Sequence, residues 1–169
     1  MRGRIHLQLR DRDGALVAER RATNSVMRGG AELVANLFTG DGVPINRMGV
    51  GTSDTPETDA FTTEALTNPP EPDASRLEGA TEIALAPEEF TVSVDETHRL
   101  VKVRCHATLP ESAAVGTLRE AGLLARPDGE GDAVLYNRVT FSPISKNDDH
   151  ELTMFWEVSF PYGDLQWMT

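Results

Sequence analysis

The chain has 169 residues, 39% of them hydrophobic, with a formal charge of −11 and one cysteine, Cys105. That length suits one core and one domain, at typical domain sizes of about 100 to 150 residues. The acidity argues against nucleic acid as a partner, because phosphate binding needs Lys and Arg; a lone cysteine excludes an internal disulfide framework, and no apolar run approaches the roughly 20 residues of a membrane-crossing helix.

Ile5, Leu7 and Leu9 alternate with His6, Gln8 and Arg10, and Asp11-Arg12-Asp13-Gly14 then supplies turn chemistry before Ala15-Leu16-Val17-Ala18-Glu19. This predicts an N-terminal hairpin. No continuous apolar segment follows the basic start, so a secretory leader is not expected. Asn24 and Ser25 offer oxygens to cap a helix, and Met27, Ala31, Val34, Ala35 and Phe38 recur at helical steps up to Gly40-Asp41-Gly42. One amphipathic helix packed on a sheet is expected over 28–38. An extended pattern resumes over 45–50.

Residues 52–78 turn to Thr, Pro, Asp and Glu, with Pro56, Pro69, Pro70 and Pro72 opposing regular structure. A long surface excursion is expected here, ordered mainly by contact with neighbouring subunits. Strands are predicted at 81–85, 90–94, 99–109, 118–126 and 133–141, the last two separated by the Pro127-Asp128-Gly129-Glu130-Gly131 turn. A closing strand carries Leu152, Met154, Trp156, Val158 and Phe160 on every second position, the period of a pleated strand with one buried face. Many short strands and one helix indicate a mainly β protein: an antiparallel β-sandwich with one packed α-helix and an N-terminal hairpin. Residues 1–22 read as the hairpin and a docking arm, 23–160 as the sandwich domain with its 52–78 loop, and 161–169 as a C-terminal docking tail.

No catalytic constellation matches the clarity of the strands. Asp11-Arg12-Asp13-Gly14 lacks the downstream glutamate and flanking helices of a calcium loop, and Gly49-Val50-Gly51-Thr52 lacks the lysine and spacing of a phosphate loop. Cys105 and His106 are strand neighbours and point to opposite faces. His6, His98 and His150 show no ligand spacing. Asp148-Asp149-His150 has no nucleophile elbow beside it, and Glu88, Glu89 and Glu120 are not set across a cleft. The expectation is a non-enzyme with no catalytic residues, no metal and no cofactor.

The order of features resembles a family of small bacteriophage tail proteins, which includes tail-fibre attachment modules and baseplate or collar parts of contractile, phage-like particles. The pieces that carry it are Asn24-Ser25-Val26 leading into Gly30-Ala31-Glu32-Leu33-Val34-Ala35-Asn36-Leu37-Phe38, and Ile45-Asn46-Arg47-Met48-Gly49-Val50-Gly51-Thr52 before the Thr/Pro-rich loop. Leu118-Arg119-Glu120-Ala121-Gly122-Leu123-Leu124, then Leu135-Tyr136-Asn137-Arg138-Val139-Thr140-Phe141-Ser142-Pro143-Ile144-Ser145-Lys146, and the Trp156 strand complete it. The similarity runs over about 24–160, and only the order of the motifs is distinctive. It implies a structural subunit of a virion or phage-like particle, assembled in the host cytoplasm against other tail or baseplate proteins and copies of itself. A trimer fits a fibre adaptor, and a sixfold ring fits a tail tube or baseplate.

The apolar features least needed by a compact sandwich are the hairpin and the aromatic tail, so Ile5, Leu7, Leu9, Tyr162, Leu165, Trp167 and Met168 are the expected assembly contacts. Two other readings stay open. One is a module that binds a host-surface protein or carbohydrate through the 52–78 loop, and the other is a hydrolase of a cell-surface polymer, which would need paired carboxylates. Neither nucleic acid nor membrane insertion is expected.

Overall fold

The computed structural model describes residues 2–58, 60–128 and 131–163. Among these residues, nine strands and one α-helix follow in the order β1 (Arg2–Arg10), β2 (Leu16–Val26), α1 (Arg28–Asn36), β3 (Arg47–Gly51), β4 (Glu82–Ala84), β5 (Phe90–Asp95), β6 (Leu100–Leu109), β7 (Gly116–Ala125), β8 (Val134–Lys146) and β9 (Glu151–Pro161). The protein is mainly β, with the expected N-terminal hairpin and one helix.

In place of two separate sheets, one antiparallel sheet of order β4-β3-β7-β8-β2-β1-β9-β6-β5 curls on itself. The joint is β2, which pairs with β1 along most of its length, while its last residues Ser25 and Val26 pair with Arg138 and Asn137 of β8. Both halves supply one core, with Ile5, Leu7, Leu9, Leu152, Met154 and Trp156 on one side and Val50, Leu118, Ala121, Leu123, Tyr136 and Val139 on the other. At one end of the sheet β4 lies against β6, so curling nearly closes the structure there.

The first turn forms as its residues dictate. One carboxylate oxygen of Asp11 accepts the Asp13 and Ala15 backbone N–H groups, and Gly14 adopts a φ of 80° that favours glycine. The helix start differs from expectation. Asn24 and Ser25 lie inside β2, and Met27 occupies the cap position with no side-chain hydrogen bond. The helix entry is instead tied by backbone bonds, Met27 N–H to the Tyr136 carbonyl and Arg28 N–H to that of Phe61. Strand pairing has taken the residues whose side chains would otherwise cap. Because α1 sits on β8, residues 135–139 of that strand are buried on both faces by their own chain.

The 52–78 excursion also departs from the reading of a segment ordered mainly by neighbours. Thr52 N–H bonds the Thr67 carbonyl, Asn68 takes the Leu77 N–H and donates to its carbonyl, and Leu77 is fully buried. Phe61 and Leu66 pack on Met27, Leu124 and Leu135 in a small second cluster. The chain orders this segment with its own contacts.

Candidate functional site

A concavity of about 690 Å³ lies on the sheet face turned away from the core, across β2, β1, β9, β6 and β5. Register lines up Arg21, His6, Phe155 and His106 in one row, and Thr23, Arg4, Glu157, Arg104 and Thr91 in the next. Phe155, 40% exposed, has the His106 ring stacked 5.8 Å away on one side and the His6 ring tilted at 5.7 Å on the other. Glu157 accepts from Arg4 at 2.5 Å and Arg104 at 2.7 Å. Partial burial pushes the Glu157 pKa up, but those guanidinium hydrogen bonds outweigh it and hold the group below its ordinary value. Glu19 is likewise lowered, first by the Arg21 hydrogen bond and then by His6, which lies 2.6 Å from it. The face offers unused guanidinium donors beside an aromatic ring, a combination suited to holding a carboxylate-bearing ligand.

Cys105 and His106 do divide between the two faces. Cys105 is in the core, and desolvation, with a further contribution from Glu89, pushes its thiol up to about 12. A thiol so protonated and buried is a poor nucleophile. His98 bonds Asp95 at 3.0 Å, and the His150 ring Nδ1 accepts from the Asn147 N–H. Among the described residues no group of three or more His, Cys, Asp or Glu is placed to hold a metal ion.

The expected assembly contacts fare unequally. Ile5, Leu7 and Leu9 are corrected: β1 is an internal strand between β2 and β9, and these side chains are 2%, 0% and 0% exposed, so they belong to the core and not to a docking arm. The reason is that β9 pairs with the free edge of the hairpin and the curled sheet packs its other half, with Val50, Leu118, Leu123 and Tyr136, onto the hairpin's apolar face. Tyr162 is 38% exposed, its N–H bonded to the Arg99 carbonyl. Leu165, Trp167 and Met168 lie outside the described residues.

A buried ion pair went unassigned in the sequence reading. On β7, Glu120 shares a face with Gly122 and Leu124, and its carboxylate accepts the Arg138 Nε–H and the Thr67 backbone N–H. Arg138 also donates to the Thr55 carbonyl and to Glu57. The pair therefore holds the 52–78 excursion down on the sheet. Part of its signal was legible, since Glu120 precedes the apolar and small run Ala121-Gly122-Leu123-Leu124 and Arg138 stands between Tyr136 and Val139 in a strand with few other charges.

Elsewhere the surface carries large apolar groups. Leu37 and Phe38, just past α1, are exposed, Phe38 at 91%, and Val92 and Val94 stand out on β5, a strand that among the described residues pairs with β6 alone. No family model, curated protein or solved structure matches this chain.

Proposed function

We propose that this chain is a structural subunit of a bacteriophage or phage-like tail, serving as a fibre adaptor, baseplate or collar component through protein–protein assembly and not through catalysis. The observation that carries the reading is the placement of large apolar side chains in solvent at two places on the surface, Leu37 and Phe38 past α1 and Val92 and Val94 on β5. Isolated soluble proteins seldom leave a phenylalanine so bare beside a second apolar residue, whereas subunits that bury such groups against partners do. The order of sequence motifs supports the choice of particle. Its partners are then other tail or baseplate proteins and further copies, and its location is the virion or phage-like particle.

The test is incorporation. Particles purified from a host making the wild-type chain should contain it, while Phe38→Asp should fold, by circular dichroism and melting temperature, yet be depleted from particles. A Phe38→Asp chain incorporated normally removes the observation on which the reading stands.

A second reading, recognition of a host-surface ligand, moves from the 52–78 loop, where Phe61 is packed away in the second cluster, to the Phe155 groove with its arginine donors. Titration calorimetry with a uronic-acid oligosaccharide on wild type and on Phe155→Ala separates it from assembly.

A further inference from the structure

We propose that the free edge of β5 pairs antiparallel with β5 of a second copy of this chain, centred on Ser93, to make one sheet continuous across two protomers. The proposal deepens the assembly reading and rests on it for the identity of the partner as a further copy.

The two ends of the sheet are managed differently. β4 is three residues long and lies against β6, so its edge is short and sheltered. β5 runs six residues and hydrogen-bonds to β6 alone among the described residues. Natural edge strands are usually guarded by a lysine, a proline, a bulge or an inward charge. Thr91-Val92-Ser93-Val94 has none of these, and its two valines are 65% and 61% exposed. On the same face the flanking side chains Val101, Val103 and Phe160 are only partly covered, so the apolar surface continues inward from the edge.

The strand's own sequence selects the register. Centred on Ser93, antiparallel self-pairing sets Val92 opposite the other copy's Val94, Ser93 opposite Ser93, and Thr91 opposite Asp95. Both valine pairs then fall on one face, and no two like charges meet. Centring on Val92 instead brings Glu89 opposite Asp95, and centring on Val94 brings Val92 opposite Glu96. A centre between two residues sets valine against serine and splits the apolar face. Asp95 is already engaged with Lys102 at 2.6 Å within its own protomer, so facing Thr91 leaves no charge unpaired. Such a contact is isologous, each copy giving the same patch.

Sedimentation velocity of the full chain over rising concentration should show a monomer–dimer equilibrium, and Val94→Lys, at an exposed site, should shift it to monomer, with a melting temperature equal to wild type at concentrations where the wild type is monomeric. Register is read by mild oxidation in a Cys105→Ala background. Ser93→Cys places two sulfurs on facing residues within disulfide reach and should cross-link at least tenfold more than Thr91→Cys, whose copies lie far apart along the ladder. A wild type that stays monomeric, a dimer that survives Val94→Lys, or equal cross-linking of the two cysteine variants overturns the contact. Particle incorporation is scored in parallel: a Val94→Lys-sensitive dimer in a protein never found in particles supports this contact and overturns the tail reading, whereas incorporation of a wild type with no such dimer does the reverse.

Discussion

Arg138 donates its Nε–H to the Glu120 carboxylate at 2.5 Å, with the two side chains only 4% and 0% exposed. Deep burial makes the pair costly to form and costlier to break, because removing one partner leaves the other charged and desolvated. Glu120→Ala should destabilise the fold by about 3 to 5 kcal/mol in urea titration. It should also open 52–78 to protease, since Thr67 loses its acceptor and Arg138 its anchor. The double variant Glu120→Leu with Arg138→Met should be less destabilised than Glu120→Ala. Equal losses would mean the two charges are not coupled.

Gly30 offers a test in which helix propensity and packing have opposite signs. Alanine in its place gains roughly 1 kcal/mol of helix propensity. Its Cβ, however, would sit 2.0 Å from the Tyr136 carbonyl oxygen, and a strand backbone cannot yield as a side-chain tip can. Overpacking of this kind costs about 1 to 3 kcal/mol even when the obstacle is a side chain. Gly30→Ala should therefore lower the melting temperature, while Gly29→Ala, whose nearest neighbour is Val134 Cγ1 at 3.3 Å, should leave it close to wild type. Stabilisation by Gly30→Ala would show that α1 is free to lift from β8.

Those two sites mark where local reading stopped. The alternation of Leu152, Met154, Trp156 and Val158 is a property of one strand, and so are the Asp11 turn and the apolar steps of α1, and each element formed close to its predicted bounds. What neighbours lie across the sheet is not written in any one segment. Asn24 and Ser25 have capping chemistry, yet pairing of β2 with β1 and β8 claims them. Ile5, Leu7 and Leu9 have the pattern of a hairpin face, and only the curling of the sheet, which brings Val50, Leu118, Leu123 and Tyr136 into the same core, turns that face from dockable to buried. Glu120 and Arg138 likewise acquire meaning from each other.

Trp156 stands between Ile5 of β1 and Cys105 of β6 and is 2% exposed. Trp156→Ala should cost about 3 to 5 kcal/mol by chemical denaturation, the range for emptying an aromatic core site. Its indole N–H is buried without a hydrogen-bond partner among the described residues. Trp156→Phe therefore removes volume without orphaning an acceptor, and should retain more than half of the stability that the alanine variant loses. Equal losses for the two variants would point to a partner for the indole N–H.

Acid should loosen the half of the sheet that carries β2, β1, β9, β6 and β5. Asp95 is held well below its ordinary value of 3.8, first by the Lys102 hydrogen bond and then by His98, while Glu157 and Glu19 sit below their ordinary 4.5. A carboxylate with a depressed folded pKa binds fewer protons folded than unfolded between its two values, so stability rises with pH through that window. The contribution is complete above the ordinary carboxylate values and is lost as pH falls below them toward the folded ones. The urea midpoint should accordingly stay level from neutral pH down to about 5 and drop below about 4.5. Glu157→Gln keeps the side-chain shape but cannot titrate, so it should start less stable at neutral pH and fall less steeply in acid. Midpoints measured at half-unit steps for both proteins decide the matter: parallel curves would remove Glu157 from the acid response, and a wild type with no drop by about pH 3 would mean that none of the three carboxylates contributes to it.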